Sequence, residues 1–243
     1  MDERRTGIIV KNKSSKALII AIITGLVTIT AAIAAYILVL RPRHLRWGAT
    51  DNEVDRILPG DELVPNPRLK ATHAVTVQAP PNKVWTWLVQ LGQGRGGFYS
   101  YDWIENMMGL DIHTADRILP EFQTLEVGDV IPLAPDGFGV PVAMVKLERA
   151  LVLHGDTRQP GSGEAPVLRP GDYFSVSWGF YLFERPGGAT RLVERWQADW
   201  NPAFHNNLFY RVFLEPGAFI MERKMLLGIK ERAESLQTNF AKI

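Results

Sequence analysis

The hydrophobic pattern divides the chain near residue 40. From Ala17 to Leu40, 24 consecutive positions carry no charged side chain. At ~1.5 Å per residue a helix of that length reaches ~36 Å, enough for the ~30 Å hydrocarbon core of a bilayer. The small residues Ala31-Ala32-Ile33-Ala34-Ala35 would suit a signal peptidase, but the apolar run continues through Tyr36 to Leu40. A retained transmembrane helix is therefore expected rather than a cleaved leader.

Beyond the run the pattern becomes that of a water-soluble domain. Arg41-Pro42-Arg43 is expected to break the helix, and Thr50-Asp51-Asn52-Glu53 has capping-box spacing for a short helix ending before Pro59-Gly60. Ala71, His73, Val75 and Val77 alternate onto one face of a strand that stops at Pro80-Pro81. Those prolines open a helix in which Val84, Leu88 and Leu91 recur at helical spacing, with Gly92 as its stop. A glycine-rich loop, Gly92 to Gly97, leads to a second helix over Tyr101 to Met108. Strand signals follow at Asp129 to Leu133, Val140 to Leu147, Ala150 to His154, Tyr173 to Phe183 and Thr190 to Trp200. Gly155 to Gly171, rich in Gly and Pro, is long for a hairpin loop and reads as a flap. The last helical stretch, Asn206 to Phe240, is expected to break or kink near Pro216-Gly217. After the break Met221, Met225, Gly228, Ile229, Arg232 and Leu236 form a stripe for the sheet.

This order segregates helices from an antiparallel sheet, which is the α+β class. The expected organisation is a basic tail over 1–16, a transmembrane helix over 17–40, a linker with a short helix over 41–69, and one folded domain over 70–243. Five basic residues precede the apolar run, and Arg41, Arg43 and Arg46 follow it closely. The small excess before it predicts a cytoplasmic N-terminus and a domain outside; a reporter fused after Ile243 and active only in the cytoplasm would overturn that topology.

Composition narrows the function. Setting aside five basic and two acidic residues in the first forty leaves 22 basic against 24 acidic groups, so nucleic acid is not an expected partner. Cysteine is absent, which removes disulfides, thiolate nucleophiles and Cys-ligated zinc. Gly92, Gly94 and Gly97 satisfy G-x-G-x-x-G, but they follow a helix rather than a strand, which is the wrong context for a dinucleotide. Asp111, His113 and Asp116 match no recognised ligand spacing, and no G-x-S-x-G elbow occurs. Neither a metal nor a cofactor is expected.

Two segments carry a family resemblance: Ala79-Pro80-Pro81-Asn82-Lys83-Val84-Trp85-Thr86-Trp87-Leu88 at the strand-to-helix junction, and the terminal helix from Met221 to Lys230. With the order of elements, and with Gln90 to Trp103 similar to a bacterial branch, the chain resembles the START/Bet v 1-like helix-grip superfamily (SRPBCC, polyketide cyclase-like). The resemblance covers about Lys70 to Lys242. It implies a curved antiparallel sheet of about six or seven strands around a long C-terminal helix, enclosing a deep apolar cavity used elsewhere for lipids, sterols or polyketides.

The expected function is membrane-tethered binding, and in one version transfer, of an apolar or amphipathic small molecule such as a lipid or isoprenoid. Trp85, Trp178, Phe180, Trp196 and Met225 are the expected apolar lining, with Arg95, Tyr99, Tyr101 and Glu194 as polar contacts. Arg95 would meet a ligand carboxylate or phosphate, because guanidinium is a rigid fork of donors. Glu194 shares its strand face with Leu192, Trp196 and Ala198, so burial would raise its pKa unless an arginine, Arg195 or Arg211, pairs with it. A cyclase- or hydrolase-type enzyme is the alternative, with Glu194, His113 or Asp102 as acid or base. A non-catalytic interaction module is the third.

Overall fold

The computed structural model describes residues 3–159, 169 and 171–240, and side chains from 17 to 235 within them. Residues 160–168 and 170 of the expected flap, and the Leu236 side chain, lie outside that description. The backbone forms two compact units, Met1–His44 and Leu45–Ile243.

In the first unit, helix α1 (Glu3–Ala35) runs into a π-turn (Tyr36–Leu40) and then α2 (Arg41–His44). The stretch Ala17–His44, 28 residues, is long and apolar enough to cross a membrane. The expected break at Pro42 is instead absorbed in the turn before it. Proline has no N–H and its ring crowds the carbonyl one turn back; the preceding turn widens so that the Arg41 N–H donates to Tyr36 O, five residues back.

The second unit is built on six antiparallel strands: β1 (Leu69–Val77), β2 (Val130–Pro132), β3 (Gly139–Lys146), β4 (Ala150–Asp156), β5 (Phe174–Arg185) and β6 (Ala189–Trp200). Their order is β1-β6-β5-β4-β3-β2. Helices α3 (Asp51–Asp55), α4 (Pro81–Leu88), α5 (Asp102–Met107) and α6 (Phe204–Leu208) are short. The long terminal helix α7 (Glu215–Phe240) follows a second π-turn, Phe209–Leu214. Here too the expected break at Pro216 is a widened turn, with the Glu215 N–H donating to Tyr210 O.

Alternation decides what each strand buries. Leu192, Glu194, Trp196, Ala198 and Trp200 of β6 face inward with Val75, Val77, Phe180 and Leu182, and α4 and α7 close this core through Val84, Leu88, Met225, Leu226 and Ile229. The opposite face carries a smaller cluster, Leu58, Ala74, Val152, Tyr181 and Val193. The segment expected to be a linker covers that face. Leu45 O accepts from Thr72 N and Trp47 O from Ala74 N, so residues 45–47 extend β1's pairing rather than hanging free.

Arg195 explains why the covering segment holds. Its guanidinium is buried and donates to Asp61, to Arg56 O and to the Glu53 and Val54 carbonyls. It is therefore not the partner of Glu194: adjacent strand residues point to opposite faces, and Glu194 points inward. Arg211, the other expected partner, is exposed. Next to Arg195, Glu53 closes the capping box with Thr50 and accepts two bonds from Arg191, at 2.7 and 2.8 Å. The Arg191 fork, against an opposing effect of burial, holds the Glu53 carboxyl down to about 2. A depressed folded-state value adds stability that is present above the unfolded value and lost as pH falls toward 2. Glu53→Gln is expected to cost about 2 kcal/mol at pH 7 and to lower Tm by about 4–8 °C, with the deficit shrinking on acidification. Tryptophan-monitored melting of both proteins across pH 3–7 checks it.

Candidate functional site

Between the concave face of the sheet and α7 lies a cavity of about 450 Å³. Val140, Val176, Trp178 and Trp196 form its sheet wall, and Ala218, Met221 and Met225 its α7 wall. Phe98, Met108 and Leu110, from the loop and helix after α4, form a third side. Met108 is 61% exposed, so this side meets solvent. Ser100, Glu105, Asp156, Thr157, Tyr210 and Glu222 supply the polar lining.

At the wall sits a buried ionic cluster from three elements. His73 on β1 stands opposite Glu194 on β6 in the strand register, and its Nδ1 donates to Glu194 Oε2 at 2.8 Å. Glu222 Oε2 of α7 lies 3.3 Å from the same nitrogen. Trp178 Nε1 donates to Glu194 Oε1 at 2.7 Å, so one tryptophan both walls the cavity and orients the carboxylate. Burial opposes charge on His73, but Glu194 and Glu222 outweigh it and raise the imidazole to about 10. Burial and the charge of Glu194, against His73, raise Glu222 to about 7. The cluster therefore keeps His73 protonated and places a group that titrates near neutral pH in the cavity wall.

These three side chains are spaced to offer one ligand atom each to a metal ion, all within 4.8 Å of one another. Sequence spacing cannot show this, because positions 73, 194 and 222 meet only through the sheet register and α7. The His73 imidazolium offsets one carboxylate charge, and Trp178 Nε1–H adds a hydrogen bond to Glu194.

Two further acids differ from each other. Asp156 is held by Arg158, whose Nε and Nη2 donate at 2.8 and 2.6 Å, and that fork lowers its pKa. Glu105 accepts from Ser100 Oγ at 2.6 Å through Oε1, while its buried Oε2 has no hydrogen-bond partner among the described residues. Burial raises its pKa.

Of the side chains expected at the ligand, Trp178, Trp196 and Met225 line the cavity. Trp85 is packed in the core instead, and Phe180 is fully buried beside Trp178, with ring centroids 5.0 Å apart. Arg95 lies elsewhere: it folds back to donate to Leu91 O and Val89 O at the end of α4 and lies over Phe122. The orphan carbonyls of a helix end account for that position better than a ligand does. Tyr99 is buried edge-on against Trp87 and donates to Trp87 O, and Tyr101 precedes α5 with Lys224 over its ring. Neither lines the cavity. Asp102 accepts from the Thr114 amide and hydroxyl, and His113 is an exposed residue paired with Asp111, so neither is placed for acid or base work in the cavity. Glu194 is inward and buried as expected, but its partner is His73. Glu222, Glu105 and Asp156 are cavity acids outside the residues expected from the sequence. A signal for Glu222 was present: it sits three residues before Met225, which places both on one side of α7.

No protein-family model matches the chain, and no curated protein matches it. Among solved structures it is similar to a hypothetical protein from Helicobacter pylori, with 12% identity and TM-score 0.46 over 74% of this chain and 96% of that one. It is similar also to a protein from Mesorhizobium loti, with 15% identity and TM-score 0.35 over 68% and 97%. A third is the ZhuI aromatase/cyclase of a Streptomyces species, with 15% identity and TM-score 0.28 over 68% and 93%. Likeness at this level carries no assignment of activity. The sheet order and α7 themselves make the chain an α+β protein of helix-grip-like architecture, with one N-terminal apolar helix.

Proposed function

We propose that the domain binds an apolar or amphipathic small molecule inside the cavity, and that the N-terminal helix tethers it to a membrane where such molecules concentrate. The observation that carries this is the cavity itself: about 450 Å³, walled by Trp178, Trp196, Met221 and Met225 with a few placed polar groups. Small-molecule sites have this size and composition. The resemblance to lipid- and polyketide-handling helix-grip proteins points the same way. In this reading the basic tail stays cytoplasmic and the cavity lies outside.

The test uses the full chain in lipid nanodiscs with a long-chain alcohol bearing a diazirine. Illumination is expected to label peptides containing Trp178 or Met225. Ala218→Trp, which fills the cavity from α7, is expected to remove at least nine-tenths of that label. Label confined to residues 17–44 in both proteins would sink the proposal.

An enzymatic reading draws on one observation, the Glu222 carboxyl titrating near neutral pH in the cavity wall. It requires that a bound ligand change mass on incubation and that Glu222→Gln stop the change. The interaction-module alternative would be favoured by a pocket filled by its own tryptophans, and Trp178 and Trp196 line the space instead.

A further inference from the structure

We propose that the molecule held in the cavity carries a protonated amine on its apolar body, and that Glu105 and Glu222 receive it. This rests on the reading of the cavity as a binding site and names its ligand class. The ionisable groups facing the cavity are Glu105 from α5, Asp156 from β4, Tyr210 from the π-turn before α7, and Glu222 from α7; no Lys, Arg or His lines it among the described residues. Behind the wall, His73 and Glu194 complete the cluster.

The balance of donors to acceptors decides the ligand's polarity. Asp156 is satisfied by the Arg158 fork. His73 presents one Nδ1–H to two carboxylates, closer to Glu194 at 2.8 Å than to Glu222 at 3.3 Å, so Glu222 takes the longer share of it. Glu105 is only 5% exposed, and its Oε2 is unpartnered in the cavity wall. Glu105, with an unpartnered oxygen, and Glu222, with the longer share of one N–H, thus border a space that no cation lines among the described residues. An ammonium group would donate to a carboxylate there and offset its charge. A ligand carboxylate or phosphate would meet like charge in an apolar surround, where repulsion is poorly screened. The expectation that Arg95 receives an anionic head group falls with the placement of that side chain outside the cavity.

A matched set of probes tests this: 1-aminoadamantane, 1-adamantanol and adamantane-1-carboxylate share a rigid body that the cavity can hold and differ in one group. Each competes with the diazirine alcohol for labelling of the full chain in nanodiscs at pH 7.5. The ammonium is expected to displace the label at a concentration at least about tenfold below that of the carboxylate, as one charge-assisted pairing would give. In Glu105→Gln and in the Glu105→Gln/Glu222→Gln double variant this preference is expected to shrink stepwise. If the double variant fails to fold, judged by its tryptophan-monitored melt, the single variant carries the test. A carboxylate that competes as well as the ammonium overturns the proposal. So does a preference unchanged in the folded variants, or displacement by none of the three while cavity peptides remain labelled. Absence of cavity labelling in the unchanged protein is a separate result, the failure of the binding reading itself.

Discussion

Replacing His73 by alanine is expected to destabilise the domain by about 3–5 kcal/mol, the range for breaking a buried ion pair by removing one partner. The variant leaves Glu194 and Glu222 facing each other, both buried, with Trp178 Nε1 as the donor that still reaches Glu194. The size of the effect comes from stranded charge more than from the lost attraction. The triple variant His73→Ala/Glu194→Gln/Glu222→Gln is therefore expected to recover more than half of the loss, because it removes the charges with the cation. Urea unfolding followed by tryptophan fluorescence measures both. Equal losses in the single and triple variants would mean that the cluster acts through packing and not through charge.

The pH dependence has a defined sign. His73 and Glu222 both bind protons more tightly in the folded chain, with values of about 10 and about 7 against ordinary values of 6.5 and 4.5. A raised folded-state value gives stability that is complete below the unfolded value and lost as pH rises through the folded one. The cluster's contribution should thus decline between pH 4.5 and 7 through Glu222 and between pH 6.5 and 10 through His73. The gap between the unchanged protein and His73→Ala is expected to hold up to about pH 6.5 and to narrow between pH 6.5 and 10. A gap that widens between pH 6.5 and 10 contradicts the assignment of the proton to His73.

Much of this architecture is legible from period alone. Residues 174–183 and 190–200 alternate strictly enough that the inward faces of β5 and β6, Glu194 included, can be named without coordinates. Thr50 and Glu53 show the start of α3 through their spacing, because the capping box is local chemistry. The prolines at 42 and 216 are visible, but whether a helix breaks or widens by one residue depends on the packing around it, and the π-turns are not. The cavity's polar groups are less legible still. His73 reads as an inward residue, yet its partners lie 121 and 149 positions away and meet it only through the β1–β6 register and the seating of α7. Arg95, Tyr99 and Tyr101 have side chains suited to a ligand, and local needs take them first: the end of α4, the Trp87 carbonyl and the start of α5.

The seating of α7 can be tested through its glycines, where one substitution is expected to have opposite effects eleven residues apart. At Gly228 an added Cβ would lie 2.4 Å from Tyr99 O and 2.9 Å from Tyr99 Cβ. Tyr99 has little room to yield. Its φ is 57°, its hydroxyl donates to Trp87 O, and Arg232 covers its ring. Gly228→Ala should push the helix off the loop at a cost of about 2–3 kcal/mol, the upper part of the range for overpacking a core. At Gly217 the same Cβ meets nothing within 4 Å, and Gly217→Ala should stabilise α7 by about 0.5–1 kcal/mol through helix propensity. The two variants also differ in what they do to the site. Met221, Glu222 and Met225 lie within two turns before Gly228, so a displaced helix carries the cavity wall and the third member of the ionic cluster with it. Gly228→Ala is accordingly expected to weaken labelling of the Met225 peptide at temperatures where the domain is still folded, whereas Gly217→Ala leaves it intact. If Gly228→Ala lowers stability without changing the labelling, the close approach to Tyr99 anchors the fold but does not position the cavity.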